Sequence, residues 1–241
     1  MEAYKVICNL DMLKTFIAWL PELQPSERYY LTLMARRKYC AELKLPDIIL
    51  KRIVCEKKDM LNKIRQLEVP YGAYTTKAGD VIPQEALALY INVNPRSMIM
   101  AAKNTMKVLI DLICDDKQTG MNPKSIALSE IHKARGTKHF VDIDIDSPDV
   151  TIDEAMQKAQ EVLNKEAIIV IKTRGGVHIV IETAKTKSKD WFRGLREKFV
   201  FDVTGDNMVP VPGSYQGGFS PVFLQGNLWG LCQAIVEDVL V

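Results

Sequence analysis

Cysteine is sparse and scattered in this chain. The five, at positions 8, 40, 55, 114 and 232, include no Cys-x-x-Cys pair. That spacing offers neither a zinc knuckle nor a disulfide framework, so no zinc is predicted. An odd number of scattered thiols suits a reducing compartment, and a cytoplasmic location is expected. Long apolar runs are also missing. No stretch approaches the roughly 18 residues of a membrane span, and the start Met1-Glu2-Ala3-Tyr4-Lys5 does not read as a secretory signal. No membrane partner is expected. Charge of one sign is not in excess either: Lys+Arg 32 against Asp+Glu 30 leaves a net charge of +2. A global basic field is therefore excluded, and any nucleic-acid contact needs a local patch. What the chain does have is 241 residues with 47% hydrophobic content, enough for a sizeable core in one large domain or two small ones.

The most informative stretch is Phe140-Val141-Asp142-Ile143-Asp144-Ile145-Asp146. Its period-two alternation marks a strand with three carboxylates on one face and three aliphatics on the other. Strands disfavour aspartate, and like charges two residues apart on one face repel. A hard divalent cation between the carboxylates, Mg²⁺ or Mn²⁺, relieves both costs. The alternative is a solvated edge strand whose charges discourage aggregation.

Residues 1–125 read as a mainly helical N-terminal module. Helices are predicted over 11–20 (ended by Pro21), over 26–39 and over 46–67, the last two carrying the basic clusters Arg36-Arg37-Lys38 and Lys57, Lys58, Lys63, Arg65. Such clusters are either solvated helix faces or contacts for a nucleic-acid backbone. A strand over 88–93 leads into a helix over 97–112, and 115–123 is the best linker candidate. Residues 126–241 form the second part, and the two are expected to make one compact unit. Here a strand over 140–145 is followed by a helix over 152–164, opened by the capping box of Thr151 and Glu154. Strands over 168–172 and 177–181 flank the turn Thr173-Arg174-Gly175-Gly176. A helix capped by Ser188 precedes a fourth strand at 200–203 or at 208–211.

The order β-α-β-β-α-β is the split βαβ, ferredoxin-like unit, so the predicted class is α+β with an RRM-like core. In that unit the first and third strands are central, both helices cover one face, and the other face is open. If Val141, Ile143 and Ile145 face the helices, Asp142 and Asp144 face the open side. By the same parity, Val177, Ile179 and Ile181 turn inward and His178 turns to the aspartates, while Phe201 and Val203 leave Asp202 outward. His139 points to the helices and receives no role. The Gly175-Gly176 turn near the carboxylates would allow positive φ and a phosphate-cradling nest, with Lys172 and Arg174 adding charge. It would equally serve as an ordinary hairpin turn. The Pro/Gly loop over 209–218 would close over a nucleotide or template, or else run on the surface.

Those motifs, Val141-Asp142-Ile143-Asp144-Ile145, Thr173-Arg174-Gly175-Gly176-Val177-His178-Ile179 and Phe201-Asp202, together with the Pro212-Gly213-Ser214 loop, resemble the archaeo-eukaryotic primase (primase-polymerase) superfamily. The resemblance covers about residues 140–218. It implies a metal-dependent nucleotidyltransferase that synthesises or extends primers from nucleoside triphosphates on a DNA template, with a replicative helicase as a further partner. It makes Asp142, Asp144 and Asp202 the catalytic, metal-holding carboxylates of a two-metal Mg²⁺ or Mn²⁺ site. It gives nucleotide binding to Lys172, Thr173, Arg174, Gly175, Gly176 and His178. Asp144 with Asp146 is the alternative pair, and Asp206 the alternative to Asp202. Two other readings remain open: a metal-dependent nuclease or phosphodiesterase using the same carboxylates, and a non-catalytic RRM-like nucleic-acid-binding module.

Overall fold

The computed structural model describes residues 2–43, 46–114, 122–147, 149–186, 190–198 and 208–225. Helix α1 (Leu10–Trp19) starts where the Asn9 side chain accepts the Met12 amide at 2.9 Å. It stops ahead of Pro21, which has no amide to continue the ladder, and buries Leu13 and Phe16.

The next two predicted helices are mostly strand. Residues 26–39 give β1 (Glu27–Ala35), and residues 46–67 give β2 (Ile48–Cys55), a short 3₁₀ turn and α2 (Met60–Arg65). Tyr29, Leu31, Leu33 and Ala35 point into the core, whereas Tyr30 and Thr32 are buried on the opposite face. With both faces covered, β1 shows no polar alternation, and its apolar residues match helical spacing equally well. Strand β3 (Leu87–Ser97) runs longer than predicted and passes directly into α3 (Met98–Cys114), as expected. Helix α4 (Pro123–Lys133), capped by Asn122, was not foreseen. Most of the predicted linker lies outside the described residues.

The second half follows the sequence reading closely. Strand β4 (Phe140–Ile145) leads to α5 (Ile152–Gln160), where Thr151 Oγ1 accepts the Glu154 amide at 3.1 Å. Strands β5 (Ile168–Lys172) and β6 (Val177–Glu182) form a hairpin, followed by α6 (Trp191–Lys198), β7 (Met208–Pro210) and β8 (Val222–Gln225).

The chain is α+β, with two antiparallel four-stranded sheets ordered β2-β1-β3-β7 and β4-β6-β5-β8. Strands β4 and β5 are parallel with β6 between them, which is the split βαβ core. The rest of the ferredoxin-like expectation needs correction. The central strands are β6 and β5, not the first and third. The fourth strand is β8, added beyond β5. The candidate at 208–211 instead extends the other sheet, where β7 pairs with β3, and the candidate at 200–203 lies outside the described residues.

Val141, Ile143 and Ile145 do face α5 and α6, forming one core with Met156, Ala159, Ile179 and Leu195. The opposite face is not open. Phe140, Ile169, Ile171, Val180 and Phe223 there pack into the larger core with Phe16 and the inward face of the first sheet. Trp19 stacks at 4.8 Å from Phe140 and 5.6 Å from Phe223. An apolar face of this size gains about 1.5–3 kcal/mol per large side chain by being covered, so only its polar corner remains accessible. Among the described residues no helix is long and apolar enough to cross a membrane.

The loop after β7 is likewise neither lid nor surface loop. Residues 211–214 are buried, and the Gly213 carbonyl accepts the Cys8 and Asn9 amides at 2.9 Å. Gly213 has φ +77, and a methyl group there would stand 2.4 Å from the Asn9 oxygen. Glycine is required by both the conformation and the contact.

Candidate metal and nucleotide site

The antiparallel register of β4 against β6 sets Asp144 directly opposite His178 and Asp142 two pairs further along, opposite Val180. On one sheet face, a directly opposed and a diagonal neighbour both come within reach of an imidazole. The His178 ring lies between the two carboxylates. Its Nδ1 is 3.1 and 3.2 Å from the Asp142 oxygens, and its Nε2 is 3.4 Å from Asp144 Oδ1. The parity argument from sequence thus brings together Asp142, Asp144 and His178. Asp202, like its alternative Asp206, lies outside the described residues.

The three groups differ in exposure. The Asp142 side chain is fully buried, His178 is 8% exposed and Asp144 is 24% exposed. Burial pushes the Asp144 carboxyl above its ordinary value. His178 and Lys38 offset part of that, and the neighbouring Asp146 and Asp142 charges add to it. For His178, burial acts to lower the pKa. The Asp142 carboxylate, by charge and hydrogen bond, together with Asp144 and Asp146, outweighs burial and raises it above 6.5. The corner is therefore rich in negative charge that is poorly solvated, a setting in which an added cation is stabilising. Among the described residues no cluster of three or more His, Cys, Asp or Glu is arranged to hold a metal ion. Asp144 is the accessible carboxylate, with the exposed Asp146 next to it. Two hard carboxylates fit a divalent oxygen-seeking ion, while the Asp142 oxygens are already taken by His178.

The β5–β6 turn abuts this corner, for reasons other than those predicted. Gly175 and Gly176 do not adopt positive φ. Gly176 is needed because a methyl group there would stand 2.0 Å from the Ile145 carbonyl oxygen. The turn thereby lies against the end of the aspartate strand. Thr173 is committed to the hairpin, its amide and hydroxyl both donating to Gly176 O at 2.9 and 3.2 Å. Lys172 is turned to the other face, where its Nζ donates to the Val150 carbonyl at 2.9 Å; it does not join the carboxylates.

Arg174 is close to the site but engaged. Its guanidinium lies 5.1 Å over the Tyr39 ring and donates to Gly217 O, and its amide donates to Gln216 Oε1 at 3.1 Å. Gln216 Nε2 in turn donates to Tyr39 Oη at 2.7 Å. Tyr39 Oη lies 3.2 Å from Tyr90 Oη, which accepts from Arg36 Nη1 at 3.1 Å. Lys38 Nζ also sits over the Tyr39 ring, 5.5 Å from its centre. This chain of Arg174, Gln216, Tyr39, Tyr90 and Arg36 was missed by sequence reasoning. Arg36 is expected on a helix over 26–39 but follows the end of β1, Arg174 is expected at the turn facing a nucleotide, and only tertiary contact brings residue 216 to residue 39. A scan of protein-family models and searches of curated proteins and of solved structures gave no match to this chain.

Proposed function

We propose that the chain is a metal-dependent nucleotidyltransferase of the primase or primase-polymerase type, acting on a nucleic-acid template with nucleoside triphosphates. The observation that carries this reading is the single imidazole, His178, set between Asp142 and Asp144 on one face of a split βαβ sheet. Divalent ions held there would lower the pKa of an attacking 3′-hydroxyl and brace the phosphates of the leaving pyrophosphate. The chain's own groups have distinct tasks. Asp144 offers the accessible carboxylate. Buried Asp142 fixes the ring orientation of His178 through Nδ1. Nε2 is then left on the side of Asp144, placed to donate to a phosphate oxygen. Lys38 and the turn at Gly175 border the same corner.

A primer-extension assay with Mg²⁺ or Mn²⁺, run with dNTPs and with NTPs, tests the proposal. Incorporation is expected from the parent and is expected to vanish with chelator and in the Asp142→Ala, Asp144→Ala double variant, whose far-UV spectrum should stay unchanged. Wild-type incorporation by the double variant would end the assignment. One observation favours a second reading: an Asp142–His178 pair with Nε2 on the side of the partly exposed Asp144 also suits a general base in phosphodiester hydrolysis. The two readings separate at His178→Ala. That change weakens nucleotide affinity in a transferase, whereas in a nuclease it removes strand cleavage and leaves nucleotide affinity as it was.

A further inference from the structure

The outward face of the first sheet holds a cavity of about 360 Å³, bounded by Tyr30, Met34, Arg36, Arg52, Tyr90 and His132. Its walls are of two kinds. Tyr30 and the His132 ring lie 5.0 Å apart at 30°, and Tyr90 forms another aromatic wall with the Arg36 guanidinium 5.4 Å above it. Among the described residues, the charged side chains that line it, Arg36 and Arg52, are both cationic, and no carboxylate lines it. Arg36 also reaches Asp47 at 2.7 Å, while Arg52 is exposed at the rim. Aromatic faces beside guanidinium groups match the two halves of a nucleotide, a stacking base and an anionic phosphate. The volume lies at the small end of ligand-pocket sizes, about 300–1,000 Å³. A single unstacked base fits that scale, and a duplex edge does not present one.

We propose that this cavity receives a nucleotide of a single-stranded nucleic acid, with its base against His132 (backed by the buried Tyr30) and Tyr90 and its phosphate on Arg52 and Arg36. Identifying that strand as the template rests on the function proposed above; the binding itself rests only on the cavity. Tyr90 links the cavity through Tyr39 to Arg174 beside the carboxylate corner. A strand seated in the cavity therefore leads along Tyr39 towards Asp144.

The test is fluorescence anisotropy of a short labelled oligothymidylate with the whole chain in EDTA, at several salt concentrations. Two substitutions at the rim spare the fold: Arg52→Glu, and Ile49→Trp at a side chain that is 43% exposed and lines the same cavity. Each is expected to weaken binding roughly tenfold, and Arg52→Glu to lower the salt slope by about one. Thermal melts check that both variants fold. Absence of parent binding, parent-like binding by both variants, or equal affinity for a duplex of the same sequence would each overturn the proposal. So would a loss confined to Arg52→Glu, since that marks a surface cation and not the cavity. Failure of primer extension alongside binding that follows Arg52 and Ile49 would refute the transferase reading and leave this one standing.

Discussion

His178 is held by two carboxylates of unequal exposure, and the pair has a consequence for stability. A histidine whose folded pKa lies above its ordinary 6.5 favours the folded state while it is protonated. That contribution is complete below about pH 6.5 and is lost as pH rises through the raised folded value. Asp144 acts in the same direction: its raised pKa means that ionisation, from about pH 3.8 upward, disfavours the folded state. Thermal midpoints should therefore fall as pH rises above 6.5, and the fall should be flatter in His178→Gln. A divalent cation should restore part of the midpoint at the alkaline end, through Asp144. A midpoint that rises over this window, or one that ignores Asp144→Asn and cation alike, would contradict the geometry. At this scale much was legible. The parity of Asp142, Asp144 and His178 follows from period-two spacing alone. The commitment of Lys172 to Val150 and of Arg174 to Tyr39 does not, because it depends on residues far away in the chain.

Among the elements, the hairpin of β5 and β6 is the most constrained. Gly176 presses on the last residue of β4, so Gly176→Ala must displace either backbone. A loss of roughly 2–4 kcal/mol is expected, measured by denaturant unfolding, together with loss of any metal-dependent activity, because the aspartate strand shifts with the turn. A neutral result would mean that the turn stands off from β4. Elements with one polar and one apolar face, β4 and α5 above all, could be read from the sequence. Strands β1 and β2 could not. Tyr29, Tyr30, Leu33 and Met34 satisfy helical spacing as well as they fill both sides of a strand, and the β2–α2 region fuses a strand and a short helix into one apparent period. Only sheet pairing decides such cases.

Across the whole molecule, the halves at 1–125 and 126–241 share material. Strand β7 belongs to the second half by sequence and to the first sheet by hydrogen bonding, and Phe140, Ile171 and Phe223 complete the core that holds Phe16. The fragment 126–241 expressed alone should fail to fold, giving a flat thermal scan and dye binding typical of exposed apolar surface. The full chain should unfold in one transition, seen alike by tryptophan fluorescence and circular dichroism. A well-folded fragment would show that the shared core is dispensable. The sequence hinted at this sharing only weakly. Val180 and Ile171 lie on the face assigned to solvent, and apolar side chains there call for a cover whose identity no local pattern supplies.

Strand β3 joins the two faces in one more way. At one point it supplies Tyr90 to the cavity wall. Four residues on, Asn94 takes the His139 and Phe140 amides at 2.8 and 2.9 Å and donates to the Phe140 carbonyl at 2.9 Å. A side-chain amide thus stands in for a neighbouring strand at the head of β4, four residues along β3 from the tyrosine. The pairing of β3 with β1 is irregular between Asn92 and Arg96, so the strand bends just where Asn94 sits. That bend can absorb a small shift at the tyrosine end, so the Asn94 amide keeps the start of the aspartate strand in place whether or not the cavity is filled.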